Sequence, residues 1–294
     1  MHQWQQQMAA QLCPPFDGWV RAIGAPLAQK AADLCFVAGQ APSLRLCDGQ
    51  HVLLRGHTVT AQMLGELLAR LCGYSLYACQ RQLAQGYLTL PGGFRAGFGG
   101  VFDETGLNPT QVQSVVLRIM RACPGCAQPL LAYLNRAEAS VLIASAPGMG
   151  KTTLLRDLVR ALSQTGRWIG LCDERGEVAA LNNGAPSLDV GPCTIVADGC
   201  AKAQAMARFV RAVHPDIIAA DELGDVLEAQ AVLEASKCGV AVLATAHGAS
   251  MEDLKRREGI GMLLKARVFD RIALLGGAPG RLAAIYDAQG GLLR

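Results

Sequence analysis

Aromatic side chains make up only 5% of this chain and charged ones 17%, with 27 Lys and Arg nearly balanced by 24 Asp and Glu. A protein that grips nucleic acid uses a basic stripe and aromatic stacking platforms, so this composition argues against a nucleic-acid partner. Long apolar runs are also missing: none approaches the roughly 20 residues of a membrane-spanning helix. The opening Met1-His2-Gln3-Trp4-Gln5-Gln6-Gln7 has neither a basic nor an apolar leader segment, which predicts a cytoplasmic chain. No second closely spaced Cys or His pair completes Cys123-Pro124-Gly125-Cys126 into the set of about four ligands that structural zinc needs, so no zinc is expected. Pro124 and Gly125 instead read as the end of a helix running from Val112 to Ala122.

What the chain does have is apolar content, 51% over 294 residues, enough for a sizeable core and two domains. Its eleven cysteines, including Cys35, Cys72, Cys79 and Cys238, lie scattered among apolar neighbours and read as reduced thiols serving as small buried hydrophobes.

Two textures meet near residue 130. Before it, Ser43–Leu46 and His51–Leu54 flank Asp48-Gly49 as a hairpin, and Thr58-Val59-Thr60 caps a helix that runs through Cys72. A second hairpin spans Gly86 to Phe98 around Pro91-Gly92-Gly93. This half, 1–130, reads as a smaller N-terminal α+β domain. The second half, 131–294, alternates apolar runs with amphipathic helices, the pattern of a parallel sheet covered on both faces. Strands are expected at Val141–Ser145, Trp168–Cys172, Thr194–Ala197, Ile217–Asp221 and Val240–Ala246. Helices are expected at Lys151–Ser163, Ala201–Val213, Asp225–Lys237 and Ser250–Glu258. Arg271–Leu275 and Leu282–Tyr286 would add an antiparallel edge.

Residues 140–158 carry the strongest chemical signal: an apolar strand, Ala146-Pro147-Gly148-Met149-Gly150-Lys151-Thr152-Thr153, then a helical pattern. Backbone N–H groups of such a turn converge on phosphate oxygens, Lys151 reaches the β and γ phosphates, and the Thr152 hydroxyl ligates Mg²⁺. Ser145 stands where a first glycine is usual, but every contact just named lies downstream of it. The strand ending in Asp221-Glu222 supplies a carboxylate for Mg²⁺ through water (Asp221) and one to orient or deprotonate the attacking water (Glu222). Val242–Gly248 delivers Thr245 and His247 to the carboxyl end of a buried strand, where His247 can sense a γ-phosphate. A second acidic cluster, Cys172-Asp173-Glu174-Arg175-Gly176-Glu177, offers carboxylates to metal or water and Arg175 to developing charge. The cofactors expected are ATP and Mg²⁺.

Together these pieces resemble the stage III sporulation protein AA family of secretion-ATPase-like P-loop ATPases. The resemblance rests on Tyr74-Ser75-Leu76-Tyr77-Ala78, Gly86–Gly93, Gly150–Asp157, Asp173-Glu174-Arg175, Asp198-Gly199-Cys200-Ala201-Lys202, Asp221-Glu222 and Thr245–Gly248. It implies an α/β fold with a RecA-like, AAA-type P-loop ATPase core. It also implies a mother-cell ATPase at a channel between mother cell and forespore, peripheral to the membrane through membrane-protein partners, and hexameric like related secretion ATPases. Asp173 and Glu174 would be their acidic box and His247 their histidine box. The chain departs from the family at Asp33–Val37, where an Arg-rich strand is usual, and at Cys193-Thr194-Ile195, where Arg-Thr-Asp is. An arginine acting in trans would then be Arg118, Arg121, Arg175 or Arg211. Two other readings compete: a nucleotide-gated scaffold without significant turnover, and a RecA-like nucleic-acid motor.

Overall fold

The computed structural model describes residues 1–104, 106, 109–120, 122–134 and 139–294; the candidate arginine Arg121 falls outside them. The chain divides into two compact units, Met1–Met120 with Asn182–Ser187, and Arg121–Leu181 with Leu188–Arg294.

The first unit holds α1 (Gln3–Ala9), α2 (Phe16–Ala22), α3 (Ala25–Lys30), β1 (Ala31–Val37), β2 (Ser43–Leu46), β3 (His51–Leu53), α4 (Ala61–Leu71), α5 (Leu76–Ala84), β4 (Tyr87–Thr89), β5 (Arg95–Phe102) and β6 (Pro109–Arg118). Its strands form a six-stranded antiparallel sheet in the order β3-β2-β1-β6-β5-β4. Alternation along the strands sends Leu34, Phe36, Leu44, Val115 and Leu117 to one buried face, against Phe16, Trp19, Leu64 and Leu67 of α2 and α4. Phe16 meets Trp19 and Phe36 edge-on, at 5.2 and 4.8 Å between ring centres, so several of the few aromatics are spent here. Helix α4 starts where Thr60 accepts the Met63 N–H. In register across the sheet, Asp33 of β1 lies between Arg45 of β2 and Arg118 of β6, whose guanidiniums both bind its carboxylate.

The expected helix from Val112 to Ala122 is strand β6. Buried positions there recur at Pro109, Val112, Val115 and Leu117, three apart before they are two apart, which mimics a helical spacing. The cause is two register shifts, opposite Gly99-Gly100 and opposite Val101-Phe102, each absorbing one extra residue of β6. At the first, a Cβ on Gly100 would lie 1.9 Å from the Gln111 carbonyl oxygen, and alternation resumes beyond it.

The second unit holds α6 (Gln128–Leu131), β7 (Val141–Ser145), α7 (Lys151–Gln164), β8 (Ile169–Asp173), β11 (Thr194–Asp198), α8 (Lys202–Arg208), β12 (Ile217–Ala220), α9 (Val226–Lys237), β13 (Ala241–His247), α10 (Met251–Arg256), α11 (Glu258–Lys265), β14 (Arg271–Leu275) and β15 (Leu282–Asp287). A short hairpin, β9 (Leu181–Asn182) and β10 (Ala185–Pro186), precedes β11. The sheet order is β11-β8-β12-β13-β7-β14-β15, parallel except for the β14–β15 edge. Every residue of β7, β8 and β12 is buried, as a sheet covered on both faces requires. Leu142, Ala144, Ile218 and Val242 face a core shared with α8, α9 and α11. Val141, Ile143, Ala219 and Leu243 face one shared with α7.

Two further corrections concern this unit. The helix expected over Ser250–Glu258 breaks at Arg257, whose ψ of 122° is extended, and a separate α11 follows. All cysteines among the described residues are free thiols, but only Cys72 and Cys172 are buried: Cys35 and Cys79 are half-buried, and Cys47, Cys123 and Cys238 are exposed. No described helix is long and apolar enough to cross a membrane.

Candidate active site

Four neighbouring parallel strands, β8, β12, β13 and β7, end on one side of the sheet, and each delivers part of the site at its carboxyl end. Strand β7 ends at Ser145, whose hydroxyl donates to the Ala146 carbonyl at 2.7 Å. Since Ser145 is an ordinary strand residue, glycine is not required there. It is required at Gly148 and Gly150, with φ of 75° and 85° in the left-handed region. Gly150 also passes the Pro279-Gly280 turn so closely that a Cβ would lie 3.2 Å from the Gly280 nitrogen, and the Gly280 N–H donates to the Met149 carbonyl at 2.8 Å. The loop Ala146–Gly150 thus leads into α7, and Lys151, Thr152 and Thr153 form that helix's first turn.

Lys151 is buried, and desolvation lowers its pKa against the pull of Glu222 and Asp221. Its ammonium lies 3.5 and 3.4 Å from the Ser145 and Ala146 carbonyls and 3.2 Å from His247 Nδ1. An ammonium can only donate, so His247 Nδ1 accepts and its Nε2 carries the hydrogen. That Nε2 lies 3.2 Å from Glu222 Oε1, and Glu222 Oε2 accepts from Arg175 Nη1 at 2.8 Å. Arg175, Glu222, His247 and Lys151 therefore form one continuous polar chain ending in the phosphate loop.

Asp221 sits one residue earlier in an opposite setting. Its Oδ2 accepts from the Thr152 hydroxyl at 2.7 Å and its Oδ1 from the Thr245 hydroxyl at 2.6 Å. Burial pushes its carboxyl pKa up, the two hydroxyls oppose this, and Glu177 and Glu222 add to it. Thr152 and Asp221 are hard oxygen donors in contact at the mouth of the phosphate loop. A pair of this kind, short of a full cage, suits an ion that takes its remaining ligands from phosphate and water. Residues and loop geometry therefore fit Mg²⁺ and a nucleoside triphosphate.

Thr245 does more than its sequence position suggests. The same hydroxyl that donates to Asp221 accepts the Glu222 N–H at 2.8 Å, and the Thr245 carbonyl accepts from Leu223 N–H, also at 2.8 Å. Glu222 is held with φ of 53°, a left-handed conformation that costs a non-glycine residue about 1–2 kcal/mol. The signal in the sequence was one hydroxyl in an otherwise apolar strand.

The two members of the acidic box point to different places. Asp173 is buried, and its carboxylate accepts backbone N–H groups of Glu177, Val178 and Ala179 at 2.8 to 3.2 Å, so it is spent on its own loop and not directed at Asp221. Glu174 reaches Lys202 Nζ at 3.3 Å. Arg175 of that segment reaches Glu222. Of the other arginines, Arg118 binds Asp33 and Arg211 lies in the π-helical segment Phe209–Val213 that continues α8. At Cys123-Pro124-Gly125-Cys126, the Cys126 thiol donates to the Thr153 carbonyl at 3.8 Å, and burial pushes it up to about 12.

Residues 36–293 match the family model described as sporulation stage III, protein AA. Stage III sporulation protein AA of Bacillus subtilis (strain 168) is 38% identical over 257 residues, covering 83% of each chain. Among solved structures, the ATPase DotB of Yersinia pseudotuberculosis aligns with a TM-score of 0.63 at 17% identity, over 96% of this chain and 78% of its own. The pilus retraction motor PilT with bound ADP aligns with a TM-score of 0.56 at 19% identity, over 83% of this chain and 74% of its own. At these identities the likeness establishes the fold alone, a P-loop core like that of those two proteins.

Proposed function

The chain belongs to the stage III sporulation protein AA family, and from that premise we propose that it is a Mg²⁺-dependent ATPase that energises a secretion-like channel complex between mother cell and forespore. In this reading it works in the cytoplasm as a homohexamer, docked on membrane proteins of that complex, with residues 1–130 as the domain that moves against the ATPase core.

The observation that carries the reading is the polar chain from Arg175 through Glu222 and His247 to Lys151. Ala146–Thr153 cradle the phosphates, and Lys151 leaves its carbonyl partners to meet the β and γ oxygens. Thr152 and Asp221 would hold the ion, which when bound neutralises charge building on the transferred phosphoryl group. Glu222 accepts a hydrogen bond from the attacking water and takes up its proton as the bond from phosphorus to the ADP oxygen breaks. His247, losing its Lys151 contact once that lysine turns to phosphate, reports nucleotide occupancy to Glu222. Arg175, freed from Glu222, is placed to stabilise the charge that develops.

The test is the ATPase rate against protein concentration for wild type and Glu222→Gln. Turnover should rise with assembly in the wild type and fall by about 10²–10⁴-fold in the variant, with nucleotide still bound. Tight nucleotide binding with no turnover at any concentration would replace the motor by a nucleotide-gated scaffold.

A further inference from the structure

Lys202 belongs to the Asp198–Lys202 segment, which the reading above leaves without a task. It opens α8 and is buried, at 7% exposure. Its ammonium has three hydrogens and meets three oxygens, each on a different segment: Glu228 Oε1 at 2.8 Å, the Glu222 carbonyl at 3.1 Å and Glu174 Oε2 at 3.3 Å. Burial alone would lower its pKa; hydrogen bonds and charge from Glu228 and Glu174 more than reverse this and keep it protonated. A fully satisfied buried cation of this kind is well placed to fix geometry.

The geometry it fixes is that of Glu222. The N–H of that left-handed residue is held by the Thr245 hydroxyl and its carbonyl by Lys202, so both of its own peptide groups are pinned. The next turn is pinned through the same lysine, because Glu228 also accepts from Gly224 N–H at 2.7 Å and Asp225 N–H at 3.4 Å. With the Glu222 backbone held from both ends, the direction of its Cα–Cβ bond is set as well, and Arg175 and His247 hold the carboxylate beyond it.

We propose that Lys202 is the positioning residue for Glu222: by holding the Glu222 carbonyl and the Glu228 carboxylate together, it maintains the left-handed backbone that aims the Glu222 carboxylate at water. This rests on the reading of Glu222 as the group that orients and deprotonates that water. Lys202 touches neither phosphate loop nor metal oxygens, so its loss should act on the chemical step and spare nucleotide binding.

The experiment compares full-length wild type, Lys202→Met, Lys202→Arg, the double variant Lys202→Met with Glu228→Gln, and Glu222→Gln. For each, kcat, KM for MgATP, affinity for a fluorescent ATP analogue and thermal midpoint are measured. Lys202→Met should lower kcat by about 10²-fold, the usual effect of displacing a catalytic group by an ångström, with KM and affinity within about twofold of wild type. Lys202→Arg should recover part of the rate. The double variant removes the more buried of the two carboxylates left without their cation, Glu228, while Glu174 stays in reach of solvent, so it should regain thermal stability while remaining slow. A double variant as fast as wild type overturns the proposal, as does a Lys202→Met protein whose kcat, affinity and stability all fall together. If Glu222→Gln is inactive while the Lys202 variants turn over normally, only the role of Lys202 falls. If Glu222→Gln itself turns over normally, the hydrolytic reading and this inference fall together.

Discussion

Asp221 and Glu222 are adjacent, yet the surroundings of their carboxylates differ in almost every physical respect. The Asp221 side is buried and short-range: two threonine hydroxyls hold the carboxylate, and charges lie at a distance. The Glu222 side is partly exposed and ionic, with its carboxylate between Arg175 and His247 and its backbone in a costly conformation. The first arrangement can receive an ion without rearranging. The second must open, because the groups that would meet phosphate and water are satisfied by one another. Under the proposed function the fold would therefore build the metal side in advance and leave the hydrolytic side to be switched by what binds.

Replacing Asp221 tests the prebuilt side and should give the largest effect. Asp221→Asn keeps an acceptor for only one of the two donating hydroxyls and turns an amide donor toward the other, and turnover in Mg²⁺ should fall by roughly 10²–10³-fold as the ion that neutralises the transferred phosphoryl group is held less firmly. Stability should move the other way. The folded pKa of Asp221 is raised, so ionising it opposes folding: the cost is absent below its ordinary value of 3.8, grows as pH rises through the raised folded value, and is constant above it. In thermal melts without nucleotide, Asp221→Asn should unfold later than wild type at pH 7 and converge with it toward pH 3. A variant that is less stable at pH 7 would show that Asp221 is paid for by contacts and not by function.

Lys151→Met probes the switched side. Losing charge-assisted hydrogen bonds worth about 1.5–3 kcal/mol should weaken ATP binding by roughly 10- to 10²-fold in titrations, with little change in melting, since two of the ammonium's three contacts are long and its desolvation offsets the third, to His247. Thr245→Val cuts the hydroxyl that serves both sides, leaving Asp221 Oδ1 and the Glu222 N–H unpaired, and should cost about 1–3 kcal/mol in denaturant unfolding. Arg175→Ala should change stability least, by under about 1 kcal/mol, because its ion pair with Glu222 is solvent-exposed on the arginine side. A larger loss on melting would mean that the ionic side is as firmly built as the buried one, and the contrast between them would fail.

The parts of this site that follow one segment were readable from sequence. Val141–Thr153 announces strand, loop and helix because apolar run, glycines and Lys-Thr are contiguous, and Asp221-Glu222 is marked by two acids ending an apolar strand. Spatial closure was not readable. That Asp173 turns into its own loop while Glu174 turns to Lys202 depends on the 174–179 turn, whose N–H directions no residue pattern encodes. Lys202 was visible only as part of a motif, since its three partners come from segments 28 residues earlier and 20 and 26 residues later in the chain. In the first unit, β6 was misread because a bulge opposite Gly100 breaks its alternation, whereas the β2–β3 hairpin and α4 were legible from Asp48-Gly49 and the Thr60 cap.

The hydrogen bond from Gly280 to Met149 joins the last hairpin of the sheet to the crown of the phosphate loop. In the proposed ATPase such a turn is a doorpost for nucleotide traffic: loosening residues 276–281, more than a hundred positions away from the loop they restrain, should change how fast nucleotide enters and leaves.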